Sequence, residues 1–318
     1  MSDAVNTGTA PVVSIVTAAY NAAATLEETV ASVRAQTRTD WELVIVDDGS
    51  ADETRTIAEG LAAEDPRIRV LSQRNAGTAA ARNAGVRESR AEWLCMLDAD
   101  DLLIPDFLER MLAFAVSHPG YDIYSPTTTM LLRDGRRVPL MTGAEWERVR
   151  SVTAAVQMRE SSVAQVSLVA RGVFDRVGGY RPVYSEDYDF WLRALILGAR
   201  QVQNPEALWV YRRQEGSKTT ALVREAESIL EILTDARAMP ELSVEDRAAC
   251  DEAIAFAHAR IGRRQLEEAL LRGEHGGARR AYLRHRRAFP GTAKYALGFV
   301  LMMLSPRLYA RIKADRMV

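Results

Sequence analysis

The apolar, strand-like run Trp93-Leu94-Cys95-Met96-Leu97 stops in Asp98-Ala99-Asp100-Asp101. Carboxylates packed so closely repel one another unless a cation holds them. On extended backbone Asp98 and Asp100, two residues apart, point the same way, as two oxygen ligands of one hard metal ion would. An isolated Asp-x-Asp is more often a solvated turn ahead of an acidic helix cap, so the other polar clusters decide.

Four of them stand out. Tyr20 follows the first apolar run, where an aromatic ring can stack on a flat base. Asp47-Asp48-Gly49-Ser50 follows the second. A capping box of Ser50 and Glu53 explains its Gly and Ser but not two adjacent carboxylates, one of which can accept a hydrogen bond from a base N–H. In Gly77-Thr78-Ala79-Ala80-Ala81-Arg82-Asn83-Ala84-Gly85 small residues open a helix, and Arg82 can reach a phosphate or order the aspartates. Ser185-Glu186-Asp187-Tyr188-Asp189 reads equally as an acidic helix start and as a carboxylate that removes a proton from a hydroxyl.

These clusters need a scaffold, and the chain supplies one. Strand patterns at Val12–Thr17, Trp41–Val46, Ile68–Leu71 and Trp93–Leu97 alternate with helix patterns at Thr25–Gln36, Glu53–Glu64 and Thr78–Glu88. Such alternation predicts parallel pairing in a doubly wound sheet, with ligands bound beyond the carboxyl ends of the strands. Tyr20, Asp47-Asp48 and the acidic cluster all fall at such ends, on one rim. Further strands are expected at Tyr121–Tyr124, Val166–Val169 and Trp209–Tyr211, with a helix from Asp187 to about Gly198. From Ala221 the pattern is helical, broken at Pro240, at Gly273-Gly276-Gly277 and at Pro290, and its helices are expected to pair. The expected organisation is a flexible tail over 1–10, a catalytic domain over 11–219 and a helical region over 220–318.

Among 318 residues, 47% are hydrophobic, 26% are charged and the net charge is −2, which argues for a globular chain without general nucleic-acid binding. The charge is uneven. Eleven Lys and Arg between Leu271 and Val318 face only Glu274 and Asp315. That basic tail, with Tyr295–Leu304, Leu308, Tyr309 and Ile312, suits an anionic membrane surface; a helix packed on the domain or a contact in a homo-oligomer is the other reading. Cys95 and Cys250 form no framework and are expected in the core of a protein in a reducing compartment. No signal-peptide pattern and no run of 18 apolar residues occurs, so a cytoplasmic protein is expected, peripheral on the inner face of the membrane if the tail binds lipid.

Val13-Ser14-Ile15-Val16 leading to Tyr20-Asn21, Val46-Asp47-Asp48-Gly49-Ser50, Ala81-Arg82-Asn83, Leu97-Asp98-Ala99-Asp100-Asp101 and Glu186-Asp187 together resemble family 2 glycosyltransferases, over residues 11–215. The resemblance implies an α/β A-type glycosyltransferase fold, a Rossmann-like, mostly parallel mixed sheet, here with a C-terminal α-helical appendix. It implies a nucleoside-diphosphate sugar donor, Mn²⁺ or Mg²⁺, inversion at the anomeric carbon, and a glycan or lipid-linked acceptor in cell-surface polysaccharide or glycolipid synthesis. By the same resemblance Tyr20 flanks the nucleobase and Asp48 binds it, with Asp47 beside it, while Arg82 lies near the nucleotide and orders the acidic cluster. Asp98 and Asp100 hold the metal with Asp101 beside them, and Asp187 is the general base with Glu186 its neighbour. The chain departs from the family at Ala18-Ala19, where a Pro-Thr pair is usual. It departs again where a histidine is usual after the last strand: Gln214 stands there, with Arg213 and Lys218 as substitutes. A degenerate, scaffolding transferase and a phosphatase with an aspartate nucleophile are the alternatives.

Overall fold

The computed structural model describes residues 10–132, 135–140, 146–161, 163–212 and 222–272, with isolated positions from 274 to 283. Gln214, Arg213, Lys218, most of the tail from 1 to 10 and the basic segment from Tyr295 onward lie outside them. Two compact units divide the chain, Met1–Glu215 and Gly216–Val318.

The first unit is a mixed sheet covered by helices. Its strands are β1 (Val13–Ala19), β2 (Trp41–Asp47), β3 (Ile68–Ser72), β4 (Trp93–Met96), β5 (Leu102–Leu103), β6 (Ile123–Leu131), β7 (Arg137–Pro139), β8 (Arg150–Val152), β9 (Leu168–Ala170) and β10 (Gln201–Arg212). The helices are α1 (Leu26–Arg34), α2 (Thr54–Glu64), α3 (Thr78–Glu88), α4 (Phe107–Ser117), α5 (Ala154–Glu160), α6 (Arg171–Val177) and α7 (Glu186–Ile196). Strand order is β3-β2-β1-β4-β9-β6-β10-β5, with β7 beside β6 and β8 beside β10. β3, β2, β1 and β4 run parallel, and β9 enters antiparallel to both β4 and β6.

Both faces of the parallel half are buried, which is why its strands read as continuous apolar runs. Val13, Ile15, Leu43 and Ile45 share a core with Leu26, Val30 and Val33 of α1 and with Phe107, Leu108 and Met111 of α4. On the other face Val44 and Val46 pack with Ala81 of α3. Because β2 and β4 flank β1 on opposite sides, the chain reverses its winding at β1, and a crevice opens there beyond the carboxyl ends.

The expected strands and helices of the first hundred residues are present, with ends shifted by one or two positions. Two later strands are much longer than their apolar cores suggested. β6 carries Ser125 and a Thr127-Thr128-Thr129 run, and β10 is interrupted by Pro205. Pairing of the two slips between Gln203 and Ala207, where the proline brings no N–H, and Thr127 Oγ1 donates to the Pro205 carbonyl at 2.8 Å. The second unit contains a helix pair, α8 (Leu222–Ala238) and α9 (Val244–Leu271), bridged by Arg237–Asp251 at 2.7 Å and Arg260–Glu225 at 3.5 Å. Cys95 and Cys250 are both free and buried, and burial pushes the Cys95 thiol up to about 12. No helix among the described residues is long and apolar enough to cross a membrane.

α3 approaches the sheet at Gly85. A Cβ there would lie 2.4 Å from Val16 Cγ1 and 3.2 Å from Val46 Cγ2, so only glycine lets the helix sit this close. Gly85→Ala is therefore expected to lower stability by about 1–3 kcal/mol despite the better helix propensity of alanine, measured by urea denaturation.

Candidate active site

The rim forms where three parallel strands end side by side. Asp48 N–H donates to the Ala19 carbonyl at 2.8 Å, and Leu97 N–H donates to the Val16 carbonyl at 3.0 Å. Tyr20 follows β1 with 53% of its surface exposed. Next to it Asn21 takes a left-handed backbone, φ +49°, which asparagine tolerates better than most residues. Its N–H donates to Ser50 Oγ at 3.0 Å, its Oδ1 accepts from Ala51 N–H at 2.9 Å, and Ala22 N–H donates to Thr54 Oγ1 at 2.7 Å. The loops after β1 and β2 are thus clasped together. The expected capping box of Ser50 and Glu53 is absent: α2 starts at Thr54 without a side-chain cap, and the Ser50 hydroxyl accepts from Asn21 instead.

Asp47 and Asp48 are both buried. Asp47 Oδ1 accepts from Ser50 N–H at 3.1 Å. Asp48 organises the loop between β3 and α3. Its Oδ1 accepts from Gln73 Nε2 at 2.7 Å and Ala76 N–H at 2.9 Å, and its Oδ2 accepts from Gly77 N–H at 2.8 Å. A carboxylate offers about four acceptor positions, so Asp48 keeps one. Gly49, at φ +72°, passes under the same loop; a Cβ there would lie 2.8 Å from Asn75 N.

Arg82 joins the remaining clusters. Its side chain is 5% exposed; Nη2 donates to Asp98 Oδ1 at 2.6 Å and Nη1 to Glu186 Oε1 at 3.0 Å. Burial penalises the guanidinium charge, but Asp98 and Glu186 outweigh that penalty and hold its pKa above the usual value. Residues 82, 98 and 186, far apart in sequence, therefore meet at one point. Asp187 begins the same helix as Glu186, half-buried, its Oδ1 accepting from Tyr188 N–H at 2.8 Å. Burial and the neighbouring Glu186 raise its pKa against the opposing pull of Arg82.

The acidic turn departs from expectation. β4 stops at Met96, and Asp98–Asp101 closes as a turn in which Asp101 N–H donates to the Asp98 carbonyl at 3.1 Å. The extended backbone that would aim Asp98 and Asp100 in parallel is not formed; the turn keeps them near one another instead. Asp101 is buried, its Oδ1 accepting from Arg212 N–H at 3.0 Å. Burial, then the charges of Asp98 and Asp100, push its pKa well up. Asp100 is likewise raised, to about 6, first by burial and then by Asp98. Among the described residues no three His, Cys, Asp or Glu side chains converge as a metal cage, so Asp98, Asp100 and Asp101 do not form one together. One or two carboxylates completed by substrate phosphates is instead the usual way Mg²⁺ is held, and a turn in which Asp98 still raises both Asp100 and Asp101 fits a hard cation.

Several residues were not singled out from sequence. Asn83 donates from Nδ2 to the Tyr180 carbonyl and accepts at Oδ1 from Tyr180 N–H, both at 2.9 Å, which ties the segment before α7 to α3. Fully buried Asp189 binds Arg181 and Arg193, and Arg193 also donates to the carbonyls of Val177 and Gly179 at 2.7 and 2.8 Å. Thr25 and Thr29 of the α1 segment donate to the Ala99 carbonyl. The Glu186-Asp187 register hinted at Asp189; nothing local hinted at the threonines.

The description Glycosyl transferase family 2 matches residues 14–161. The chain is 32% identical over 231 residues to the succinoglycan biosynthesis protein ExoO of Rhizobium meliloti (strain 1021), covering 67% of this chain and 64% of that protein. It is 30% identical over 216 residues to EpsE of Bacillus subtilis (strain 168), which carries a provisional glycosyltransferase name, covering 64% of this chain and 73% of that one. The chain spans 64%, 30% and 26% of the lengths of three curated relatives it matches. S. aureus TarS 1-349 in complex with UDP-GlcNAc shares the fold at 19% identity and a TM-score of 0.67, over 95% of this chain and 87% of that one. The mannosyltransferase PcManGT from Pyrobaculum calidifontis in complex with GDP-Man and Mn²⁺ does so at 18% identity and 0.63, over 96% and 87%. With its mostly parallel sheet, the rim built on it and these relatives, the chain belongs to glycosyltransferase family 2.

Proposed function

We propose that this chain transfers a sugar from a nucleoside-diphosphate sugar to an acceptor hydroxyl, with inversion and with a divalent cation, Mn²⁺ or Mg²⁺, at the acidic turn. The observation that carries the reading is the buried Arg82 bridge between Asp98 and Glu186, because it fixes the acidic turn and the acidic end of α7 at one rim. Residues 11–219 form the catalytic domain in this reading. Nucleotide sugars of different bases are bound by the two solved neighbours, as their names state, so the donor class is carried over and the base is left open. The succinoglycan relative supports a role in polysaccharide assembly, with a glycan or lipid-linked acceptor.

Each residue then has a task. Tyr20 stacks on the base, and Asp48 offers it the acceptor position that its loop leaves free, with Asp47 behind it. Asp98 and Asp100 hold the cation, while Asp101 anchors the turn to the end of β10. When bound, the cation supplies Lewis-acid neutralisation of the diphosphate leaving group. Arg82 holds Asp98 in place, so the turn is set before substrate arrives. Asp187 takes the acceptor proton at its carboxylate, and its raised pKa makes it a better base than an ordinary aspartate. Attack opposite the diphosphate inverts the anomeric carbon. Engagement of Asp98 by Arg82 leaves the aspartate-nucleophile alternative without support.

Three outcomes test this. Asp187→Asn lowers kcat by about 10²–10⁴-fold with donor binding retained, read by product formation and by calorimetric titration of the nucleotide; the product anomer from the parent, read by NMR, is inverted. Loss of donor binding together with kcat would remove Asp187 from the base role. The second outcome concerns the metal-free protein. A carboxyl whose folded pKa is raised from 3.8 to about 6 binds its proton more tightly when folded, so its ionisation costs stability. That cost is absent below about pH 4 and complete above about pH 6. Asp100→Asn therefore stabilises the EDTA-treated protein by about 1–3 kcal/mol at neutral pH and by little near pH 4, measured by denaturant unfolding. Third, the basic segment beyond Leu271 gives peripheral contact with anionic lipid, so its deletion abolishes co-sedimentation with phosphatidylserine vesicles.

A further inference from the structure

One face of α1 is polar where a core helix should be apolar. Thr25, Thr29, Ser32 and Gln36 follow one another at spacings of four, three and four, which places them on a single side of the helix and its ends. Thr29 is 1%, Gln36 5% and Thr25 8% exposed. Each takes a backbone group of the acidic turn or of the chain just after it, in sequence order. Thr25 Oγ1 donates to the Ala99 carbonyl at 2.8 Å and Thr29 Oγ1 to the same carbonyl at 3.0 Å. Ser32 Oγ accepts from Leu103 N–H at 3.2 Å. Gln36 donates from Nε2 to the Ile104 carbonyl at 2.7 Å, and its Oε1 accepts from Leu108 N–H at 3.0 Å. That last bond replaces the missing cap of α4, whose own N-cap residue Asp106 makes no side-chain cap.

A threonine inside a helix ordinarily turns its hydroxyl back onto its own helix. Thr29 bonds instead across to Ala99, the residue between Asp98 and Asp100. Two donors on the Ala99 carbonyl leave the Ala99–Asp100 peptide little freedom to rotate, and its rotation would swing Asp100. We infer that Thr25 and Thr29 are positioning residues for the cation site, holding the Ala99–Asp100 peptide while Arg82 holds the Asp98 carboxylate. The inference rests on the reading of Asp98 and Asp100 as cation ligands given above. Supporting groups of this kind, once removed, typically cost 10–100-fold in metal affinity.

The test is a titration of Mn²⁺, alone and with UDP or GDP, followed by the electron paramagnetic resonance signal of the free ion. The Thr25→Val/Thr29→Val double variant is expected to weaken Mn²⁺ binding about 10–100-fold. The Thr25→Ser/Thr29→Ser variant, which keeps both hydroxyls, is expected to bind as the parent does. In turnover the apparent KM for Mn²⁺ rises in the valine variant, while kcat at saturating Mn²⁺ stays close to that of the parent. Gln36→Leu is the control for a general loss of order: it lowers the melting temperature by uncapping α4 but leaves Mn²⁺ affinity unchanged. Equal affinity in the parent and the valine variant, or equal weakening in Gln36→Leu, overturns the inference alone. A parent that binds no Mn²⁺ with any nucleotide overturns the cation reading and this inference with it.

Discussion

The site depends on one buried guanidinium. Arg82 lies beneath the rim with Asp98 at one end and Glu186 at the other, and carboxylates gathered this closely would repel each other without it. A buried ion pair of this kind is a poor source of net stability, because desolvation consumes most of the attraction. Removing the arginine is another matter, costing about 3–5 kcal/mol by taking this counter-charge from the buried Glu186 carboxylate. Such a bridge is best understood as a positional device. It makes the acidic turn after β4 and the start of α7 two ends of one rigid span.

The rest of the rim follows the same economy, with polar side chains fixing backbone and leaving only a few groups facing outward. Asp48 holds the loop before α3, Asn21 and Ser50 clasp the loops after β1 and β2, and Asn83 ties the Tyr180 peptide to α3. These loops carry the chemistry but are not free to choose their conformation, since they hang from parallel strands buried on both faces. Gly49 and Gly85 are needed for closeness. One admits a loop against backbone and the other admits a helix against valines, and the second brings Arg82 within reach of the rim.

Much of this was legible in the sequence. The first four strands and three helices announce themselves through apolar runs and helical spacing, because a parallel sheet buried on both faces leaves little ambiguity. Rim residues were legible as residue types at strand ends. What escaped was geometry set by long-range partners. β6 and β10 outrun their apolar cores because serines, threonines and Pro205 lie inside long paired strands. The capping box of Ser50 and Glu53 failed because Asn21, nearly thirty residues earlier, competes for the same hydroxyl. Residue spacing alone puts Asp98 and Asp100 on extended backbone, whereas a turn hydrogen bond bends the chain there.

α7 shows how finely such roles divide. Glu186, Asp187 and Asp189 share its first turn, and each favours a helix N-terminus in the same way. At about 100° per residue they nonetheless face three directions. Glu186 meets Arg82, and Asp189 is sealed between Arg181 and Arg193. Asp187, among the described residues, makes no ion pair and stays half-buried. The oxygens of Glu186 and Asp189 that accept from arginine are taken up in holding the helix end. Asp187 stands outside those pairings, and burial and its neighbour's charge raise its affinity for a proton, as the proposed base role requires. The two arginine-bound acids therefore fix the helix end, and that rigidity is what allows the third to keep its charge poorly compensated.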